Sequence, residues 1–119
     1  MAYLVTGGAG FIGSHITEEL IKRGDDVVIL DNMYSGRQVN LAANPKAVFV
    51  EGSIMDTDVL DSICTEYNIE GIFHLAAVAS VQKSIENPVL VHDVNVTGTL
   101  NVLEAARKHG VRKVVLSAS

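Results

Sequence analysis

Cysteine is almost missing from this sequence, and so is any arrangement of side chains that would bind a metal ion. Cys64 is the only cysteine, which excludes an internal disulfide, and its place on an apolar helix face indicates a small core residue. The four histidines have no spacing that converges on a metal, so each is expected to be a helix-surface or strand residue. Apolar residues form 48% of the 119 positions, enough for one domain with its own core, and we assign residues 1–119 to it.

Positive charge and long hydrophobic runs are also scarce. Nine Lys and Arg residues stand against 14 Asp and Glu, a formal net charge of −5, and no basic stripe is present to neutralise nucleic-acid phosphates. No run of about 18 apolar residues occurs, and no cationic segment precedes an apolar one near Met1. These absences predict a cytoplasmic protein with neither a nucleic acid nor a membrane as partner.

Glycine, in contrast, is concentrated near the beginning of the chain. Residues 6–13 read TGGAGFIG and follow a short apolar run at residues 3–5. From Phe11 onward, the apolar residues Ile12, Ile16 and Leu20 recur at the spacing of one helix face. The glycines therefore lie at a turn from a strand into a helix.

Glycine at such a turn lets an anionic phosphate reach the N–H groups of the helix N-terminus, because no Cβ keeps it away. Gly7 would permit the turn out of the strand, Gly10 would let a pyrophosphate approach the backbone, and Gly13 would let helix and strand pack closely. Gly8, Gly10 and Gly13 also have the GxGxxG spacing, and the sequence does not choose between the two sets. A turn that uses glycine only for backbone reasons is the alternative to a dinucleotide-binding loop.

A carboxylate follows the next apolar run, residues 27–30. Asp31 lies 18 residues after Gly13, near the ~20-residue spacing at which an acidic residue holds the adenosine ribose. Its charge would repel a 2′-phosphate, which favours NAD over NADP. Arg37 is the nearby cation that argues for NADP, and a solvated loop side chain is its alternative interpretation. For Asp31 the alternative is an ordinary loop carboxylate that caps the turn.

Apolar strands alternate with helices along the rest of the chain. Such alternation predicts a parallel sheet covered by helices on both faces, and right-handed crossovers then give a doubly wound α/β fold with strand order 3-2-1-4-5. Only a loop is predicted between the second and third strands. The third, fourth and fifth strands are predicted at residues 47–50, 71–75 and 113–117.

Two further helices have recognisable ends. Asp56 can cap a helix whose apolar side chains form one stripe. The longest helix is predicted to begin with Asn87 as its cap and Pro88 in its first turn, to run to about His109, and to stop at Gly110. Apolar residues lie on nearly all of its sides, which predicts deep burial.

Ligands of doubly wound sheets bind beyond the carboxyl ends of the strands, where the strand order reverses between strands 1 and 4. Small residues dominate after the fourth strand, as expected where the backbone passes close to a ligand. The predicted site therefore consists of residues 7–13, 31–36, 52–54, 75–80 and 117–119.

Six motifs follow one another along the chain. They are TGGAGFIG at residues 6–13, DNMYSG at 31–36, GSIMD at 52–56, HLAAVASVQKSIENP at 74–88, NVTGTLNVLEAA at 95–106 and VVLSAS at 114–119. Together they resemble the extended short-chain dehydrogenase/reductase family, and within it the NAD-dependent sugar-nucleotide epimerases and dehydratases. The match covers the whole chain and is far more specific than any one motif. It implies a Rossmann-like fold that is incomplete relative to the family.

The resemblance implies one cofactor, NAD, and distributes its contacts along the chain. Phe11 and Ile12 would donate to the pyrophosphate, Asp31 and Asn32 would hold the adenosine ribose, and Asn95 would brace the loop after the fourth strand. The residues implied to bind NAD are Gly7, Gly10, Phe11, Ile12, Gly13, Asp31, Asn32, Met33, Ser35, Gly36, Ser53, Ile54, Leu75, Ala76, Ala77, Val78 and Asn95.

Two positions depart from the family's pattern. Ser53 stands where the family often has Asp, so a hydroxyl replaces a charged acceptor near the adenine. Ala79 stands where some epimerases of the family have Lys. The first departure weakens the prediction of the adenine contacts, and the second weakens the case for a close relationship with those epimerases.

The resemblance implies a reaction in which NAD takes a hydride from a sugar carbon while a tyrosine phenolate takes the proton of its hydroxyl. A neighbouring lysine lowers the pKa of that tyrosine, and a Ser or Thr hydrogen-bonds the reacting oxygen. An epimerase then returns the hydride to the other face of the ketone. Ser119 matches the hydroxyl residue, with a frayed chain end as its alternative, and Ser80 is a candidate sugar contact or helix cap.

The tyrosine and lysine of that reaction have no counterpart here, because none of Tyr3, Tyr34 and Tyr67 is followed by lysine four residues later. We therefore expect the chain to bind NAD without completing the reaction, and the domain for the sugar-nucleotide substrate to be absent from it. Two interpretations follow. The chain is an N-terminal piece of a longer enzyme, which is favoured because the motifs continue up to residue 119, or it is a non-catalytic dinucleotide-binding module. A sheet that ends at the fifth strand leaves an apolar edge, which predicts self-association.

Overall fold

The computed structural model describes residues 1–33, 37–76 and 85–116, and a parallel sheet of five strands forms its centre. The strands are rich in Val, Ile, Leu and Phe, side chains that pack well on a pleated surface. Each strand is confirmed within two residues of its predicted bounds. The strands are β1 (Ala2–Thr6), β2 (Asp26–Asp31), β3 (Val48–Glu51), β4 (Ile69–His74) and β5 (Lys113–Leu116).

The strand order is β3-β2-β1-β4-β5, as predicted. β1 lies in the centre, with Val5 opposite Ile29 of β2 on one side and opposite Phe73 of β4 on the other. The order reverses at β1 because the chain passes to its other side after β3. The carboxyl ends of β1 and β4 therefore diverge into loops at the point where such sheets hold ligands.

Helices connect these strands. α1 begins directly after the glycines, and α3 begins at the predicted cap, where Asp56 Oδ1 accepts hydrogen bonds from the N–H groups of Asp58 and Val59 at 3.1 and 3.3 Å. Where the sequence predicts only a loop, the structure has the short helix α2, whose five residues are too few for a periodic pattern. None of the described helices is long and apolar enough to cross a membrane. The helices are α1 (Phe11–Lys22), α2 (Gln38–Ala42), α3 (Thr57–Tyr67), α4 (Pro88–His92) and α5 (Thr99–Lys108).

Alternate residues of each strand point to opposite faces of the sheet, so the core has two layers. Leu4 of β1 packs with Leu60 of α3 and Val102 of α5 on one face. The next residue, Val5, packs with Leu20 of α1 on the other face. Burial on both faces explains why the central strands β1 and β2 contain continuous apolar runs rather than alternating ones.

The longest predicted helix differs from the expectation in two respects. Asn87 caps it as predicted, but the segment Asp93–Gly98 between α4 and α5 is a π-helical turn. The prediction of deep burial is wrong, because only the face with Val102, Ala105 and Ala106 packs into the core. The opposite face is exposed to solvent and carries Val89, Leu90, Val96, Leu100 and Leu103.

Candidate functional site

Three of the four glycines in the β1–α1 loop and the first turn of α1 are required by the packing of the chain itself. Gly7 has a φ of +73°, and a Cβ on it would lie 2.9 Å from the carbonyl carbon of Leu75. A Cβ on Gly8 would lie 2.6 Å from Cγ2 of Ile29, and one on Gly13 would collide with the carbonyl oxygen of Gly7. The left-handed conformation needed for the turn is at Gly7, whereas Gly8 is required for its packing on β2.

Gly10 is enclosed less tightly than the other three. A Cβ there would meet only the carbonyl oxygen of Gly7 among the described residues, at 3.3 Å, a close but not a colliding approach. Gly10 occupies the cap position of α1, and no side chain of the described residues caps that helix. The adjacent Phe11 and Ile12 are 75% and 60% exposed. The start of α1 thus presents main-chain N–H groups and a positive dipole end that an anion can approach.

Asp31, the predicted ribose ligand, is 7% exposed and lies beside the glycine loop. Its Oδ2 accepts a hydrogen bond from the N–H of Ala9 at 3.0 Å, and its Oδ1 accepts one from the N–H of Met33 at 2.7 Å. The carboxylate therefore caps its own turn and also fixes the loop, a contact across 22 residues that sequence spacing did not predict. A carboxylate has about four acceptor positions, and the described residues occupy one on each oxygen.

The turn after β2 is held in an unusual conformation. Met33 has a φ of +63°, in the left-handed region that a residue with a side chain rarely adopts. Asn32 is exposed beside it. Both predicted cofactor residues therefore lie at the carboxyl end of β2, in a conformation that the Asp31 carboxylate supports through the N–H of Met33.

A second set of hydrogen bonds secures the glycine loop from the segment around α2. The N–H of Arg37 and Nδ2 of Asn40 both donate to the carbonyl oxygen of Ala9, at 3.0 and 2.8 Å. Nδ2 of Asn44 donates to the carbonyl oxygen of Ser14 in α1 at 3.0 Å. The two asparagines are positioning residues that the sequence did not reveal, because α2 has no periodic pattern. Arg37 is exposed, which agrees with its interpretation as a loop side chain.

The predicted adenine border follows β3. Oγ of Ser53 accepts a hydrogen bond from the N–H of Met55 at 3.0 Å, so this hydroxyl stabilises its own turn. Ile54 is buried, and its side chain packs against Gly98 in the core. Its carbonyl oxygen accepts a hydrogen bond from Nδ2 of Asn101 at 3.1 Å. The side chain of Ile54 therefore belongs to the core, and its carbonyl oxygen is already engaged.

The end of β4 meets the glycine loop directly. The N–H groups of Leu75 and Ala76 donate to Oγ1 of the buried Thr6 at 3.0 and 3.1 Å. Gly7 packs against the peptide that joins them. His74, expected to be an ordinary strand residue, is instead hydrogen-bonded on both ring nitrogens, and burial lowers the pKa of its imidazole. Its position as the polar last residue of an apolar strand was the signal available in the sequence.

The structure brings most predicted site residues to one edge of the sheet. The glycine loop contacts Asp31 on one side and the main chain of residues 75–76 on the other. Asn95 lies in the π-helical turn, next to this edge through the hydrogen-bonded pair of Thr99 and His74. The predicted residues Ser35, Gly36, Ala77, Val78, Ser80 and Ser119 lie outside the described residues.

Similarity to known proteins covers nearly all of the chain. Residues 3–119 match the family described as NAD dependent epimerase/dehydratase. A UDP-glucose 4-epimerase from Mycolicibacterium smegmatis is 47% identical over 122 residues, covering 100% of this chain and 39% of that protein. The chain spans between 35% and 39% of the length of seven curated relatives.

Solved structures agree with this match. The UDP-glucose 4-epimerase of Thermotoga maritima, crystallised with UDP-glucose, is 44% identical with a TM-score of 0.96, over 100% of this chain and 38% of that one. The UDP-glucose 4-epimerase of Thermus thermophilus, in complex with NAD, is 44% identical with a TM-score of 0.88, over 96% of this chain and 36% of that one. The fold is Rossmann-like, and the chain belongs to the NAD-dependent epimerase/dehydratase family.

Proposed function

We propose that residues 1–119 form the NAD-binding domain of a sugar-nucleotide epimerase of the UDP-glucose 4-epimerase kind. The observation that carries the proposal is the start of α1, where bare Gly10 leaves the helix without a side-chain cap beside the carboxylate of Asp31. An anionic pyrophosphate fits the first feature, and a ribose with free hydroxyls fits the second. The family match and the NAD complex of the Thermus thermophilus relative support the same cofactor.

The pyrophosphate is assigned to the N–H groups of Phe11 and Ile12 at the start of α1. The adenosine ribose is assigned to Asp31, whose negative charge would repel the additional phosphate of NADP. The nicotinamide end then extends across β1 toward β4, since the dinucleotide lies across the point where the strand order reverses. The remaining contacts are assigned to Gly7, Gly13, Asn32, Met33, Ser35, Gly36, Ser53, Ile54, Leu75, Ala76, Ala77, Val78 and Asn95.

The chemistry that NAD supplies is acceptance of a hydride from the sugar and its return to the opposite face. Within this chain Ser119 is assigned to hydrogen-bond the reacting oxygen, and Ser80 to contact the sugar nucleotide. The proton acceptor is the tyrosine of a Tyr-x-x-x-Lys pair, which residues 1–119 do not contain. Complete turnover therefore requires groups that residues 1–119 do not supply, including a domain for the sugar nucleotide.

Calorimetric titration of the chain with NAD and NADP tests the cofactor assignment. We expect NAD to bind at least about tenfold more tightly than NADP, and Asp31→Asn to reduce that ratio by removing the charge. Asp26→Asn is the matched control, since Asp26 is an exposed carboxylate at the other end of β2. A chain that binds neither dinucleotide would contradict the proposal.

The reaction itself is tested in the longest natural form of the protein. We expect UDP-glucose to be converted to its C4 epimer with NAD bound, without net reduction of the cofactor. Absence of any NAD-dependent change in UDP-glucose and other sugar nucleotides would rule out the epimerase. The second candidate, a non-catalytic dinucleotide-binding module, is favoured by the missing Tyr-x-x-x-Lys pair and is excluded if residues 1–119 alone turn over substrate.

We also propose that the chain self-associates. Within the described residues β5 pairs only with β4, and its side chains Val115 and Leu116 are exposed. The exposed apolar face of α4, the π-helical turn and α5 adds further surface that favours association. Sedimentation velocity across a concentration series is expected to reveal dimers or larger species, and a strictly monomeric chain would exclude them. The cytoplasmic location stays a prediction from the sequence.

A further inference from the structure

Three polar side chains form a chain of hydrogen bonds between the carboxyl ends of β1 and β4 and the start of α5. Oγ1 of Thr6 lies 2.7 Å from Nδ1 of His74, and Nε2 of His74 lies 2.9 Å from Oγ1 of Thr99. Oγ1 of Thr99 donates to the carbonyl oxygen of Asn95 at 2.8 Å. Thr6 and His74 are buried, and none of the three side chains is among the proposed NAD contacts.

The direction of each hydrogen bond follows from counting donors and acceptors. A hydroxyl has one proton, and that of Thr99 is donated to the carbonyl oxygen of Asn95, so Nε2 of a neutral His74 donates to Oγ1 of Thr99. Nδ1 of the neutral ring is then an acceptor and takes the proton of Thr6. Oγ1 of Thr6 in turn accepts from the N–H of Ala76 and from that of Leu75, which is shared with the carbonyl oxygen of Thr6. With this direction, every polar atom of the three side chains has a hydrogen-bond partner.

The ring of His74 is kept neutral by its surroundings. Burial lowers the pKa of the imidazole, and no charged group among the described residues contributes to that shift. The side chains that face it, Thr6 from β1 and Thr99 from α5, are both hydroxyls. A neutral ring with an acceptor on one side and a donor on the other is the form that this chain of bonds needs.

This chain of bonds joins the two walls of the proposed nicotinamide end of the site. One wall is the main chain of residues 75–76, which Thr6 holds and against which Gly7 packs. The other wall is the π-helical turn, where the carbonyl oxygen of Asn95 has Thr99 as a hydrogen-bond donor. The hydroxyl of Thr99 thus ties a carbonyl group of the π-helical turn to the ring of His74.

We propose that His74 is a positioning residue that sets the distance between the end of β4 and the turn bearing Asn95, and so shapes the site for the nicotinamide end of NAD. The inference rests on the proposed function. His74 acts through Thr6 on the β4 wall and through Thr99 on the helical wall, without touching the cofactor. The adenosine end lies on the other side of β1, at Asp31, and does not depend on it.

That asymmetry gives a test. The chain is titrated with NAD, which occupies both ends of the site, and with ADP, which occupies only the adenosine and pyrophosphate end. For His74→Phe and Thr99→Val we expect roughly tenfold weaker NAD binding and unchanged ADP binding, the cost of leaving buried polar groups without partners. Thr99→Ser retains the hydroxyl and is expected to restore NAD affinity.

Thr17→Val is the matched control, because Thr17 is a buried threonine whose Oγ1 donates to the carbonyl oxygen of Gly13 at 2.8 Å, four residues back, as Thr99 does to Asn95. It belongs to α1 and is expected to change the NAD and ADP affinities together. An unchanged ratio of the two affinities in the His74 and Thr99 variants would overturn the inference while leaving NAD binding itself intact. A wild-type chain that binds neither ligand would instead overturn the proposed function and this inference with it.

The ring itself provides a readout that does not depend on any variant folding. Nitrogen-15 NMR of the wild-type chain at neutral pH is expected to show His74 with a protonated Nε2 and an unprotonated Nδ1. A charged ring, or one protonated on Nδ1, would contradict the direction of the hydrogen bonds and overturn the inference.

Discussion

Two helices of this protein begin in opposite ways. α3 begins with Asp56, whose carboxylate accepts hydrogen bonds from the first-turn N–H groups of Asp58 and Val59. α1 begins with Gly10, which has no side chain to offer, and no other side chain within residues 1–33, 37–76 and 85–116 caps it. Both helices pack into the core through one face, so the difference concerns only their first turns.

The comparison separates what folding needs from what binding needs. α3 satisfies the N–H groups of its first turn with its own cap, which stabilises the helix, whereas the short helix α2 has no side-chain cap from the described residues, so a missing cap alone does not indicate a ligand. α1 leaves the N–H groups of its first turn unsatisfied at an exposed edge of the sheet, where a phosphate can supply the missing acceptors. The uncapped start of α1 is the better indication of a ligand than the glycines, three of which are required by packing alone.

Among the variants that test this comparison, Gly13→Ala is expected to lose the most stability. The added Cβ would collide with the carbonyl oxygen of Gly7 and lie 2.8 Å from Cα of Gly8, both main-chain atoms that cannot move aside. We expect the free energy of unfolding, measured in urea, to fall by about 3 kcal/mol. Gly10→Ala is the control, since its Cβ would approach only the carbonyl oxygen of Gly7, at 3.3 Å, and a smaller loss is expected. An equal loss in both variants would refute the distinction between packing and binding glycines.

Gly10→Asp converts the start of α1 into one like that of α3. The new carboxylate can cap the helix, so stability is expected to stay the same or to rise by a few tenths of a kcal/mol. The same carboxylate occupies and repels the pyrophosphate, so NAD affinity measured by calorimetry is expected to fall at least about tenfold. Unchanged NAD affinity would show that the cofactor does not use this helix.

The reciprocal change, Asp56→Ala, removes the cap of α3. The free energy of unfolding is expected to fall by about 1 kcal/mol, since the N–H groups of Asp58 and Val59 lose their acceptor. NAD affinity is expected to remain at the wild-type value. Asp58→Ala is the control for loss of charge in the same turn, and a similar loss of stability in both variants would mean that capping is not the cause.

The smallest change in stability is expected at the ion pairs that join α3 to the end of α5. Asp61 Oδ1 lies 3.0 Å from Nε2 of His109, and Oδ2 lies 3.2 Å from Nζ of Lys108. The hydrogen bond from His109, and then that from Lys108, hold the pKa of Asp61 below its usual value. A carboxylate with a lowered folded-state pKa stabilises the fold above its unfolded pKa, about 3.9, and loses that contribution as pH falls through the folded value.

We therefore expect Asp61→Asn to destabilise the chain slightly near neutral pH and to converge with wild type in acid. Urea unfolding of both proteins across this pH range measures the difference. High salt is expected to reduce this difference in stability, because Lys108 is exposed and Asp61 is partly exposed. A difference that grows toward low pH would have the wrong sign for this ion pair.

Most of the fold could be predicted from local patterns. Each of β1 to β5 contains a short apolar run, and Asp56, Asn87 and the glycine turn mark helix ends through chemistry that acts over a few residues. Their alternation restricts the topology to one common arrangement, which the strand order confirms. Asp31 could be located in the same way, since its place after β2 follows from the spacing.

Other features depend on contacts that no local pattern contains. α2 is too short for a period, yet its Asn40 holds the carbonyl oxygen of Ala9. The long apolar helix looked buried because its composition does not reveal how many neighbours it has, and one face remains exposed. His74 looked ordinary because its partners, Thr6 and Thr99, lie 68 and 25 residues away.

The amino-acid sequence by itself determined the alternation of strands and helices, the glycine turn and the acidic residue that follows β2, because each depends on backbone preferences or on spacing along the chain. Only the tertiary structure decided which glycine of the loop is enclosed least tightly, which oxygens of Asp31 are already engaged, and which side chains hold the end of β4 to the π-helical turn. The physical reason is distance along the chain. Hydrogen bonds and close packing between residues far apart in sequence exist only after the sheet has brought them together.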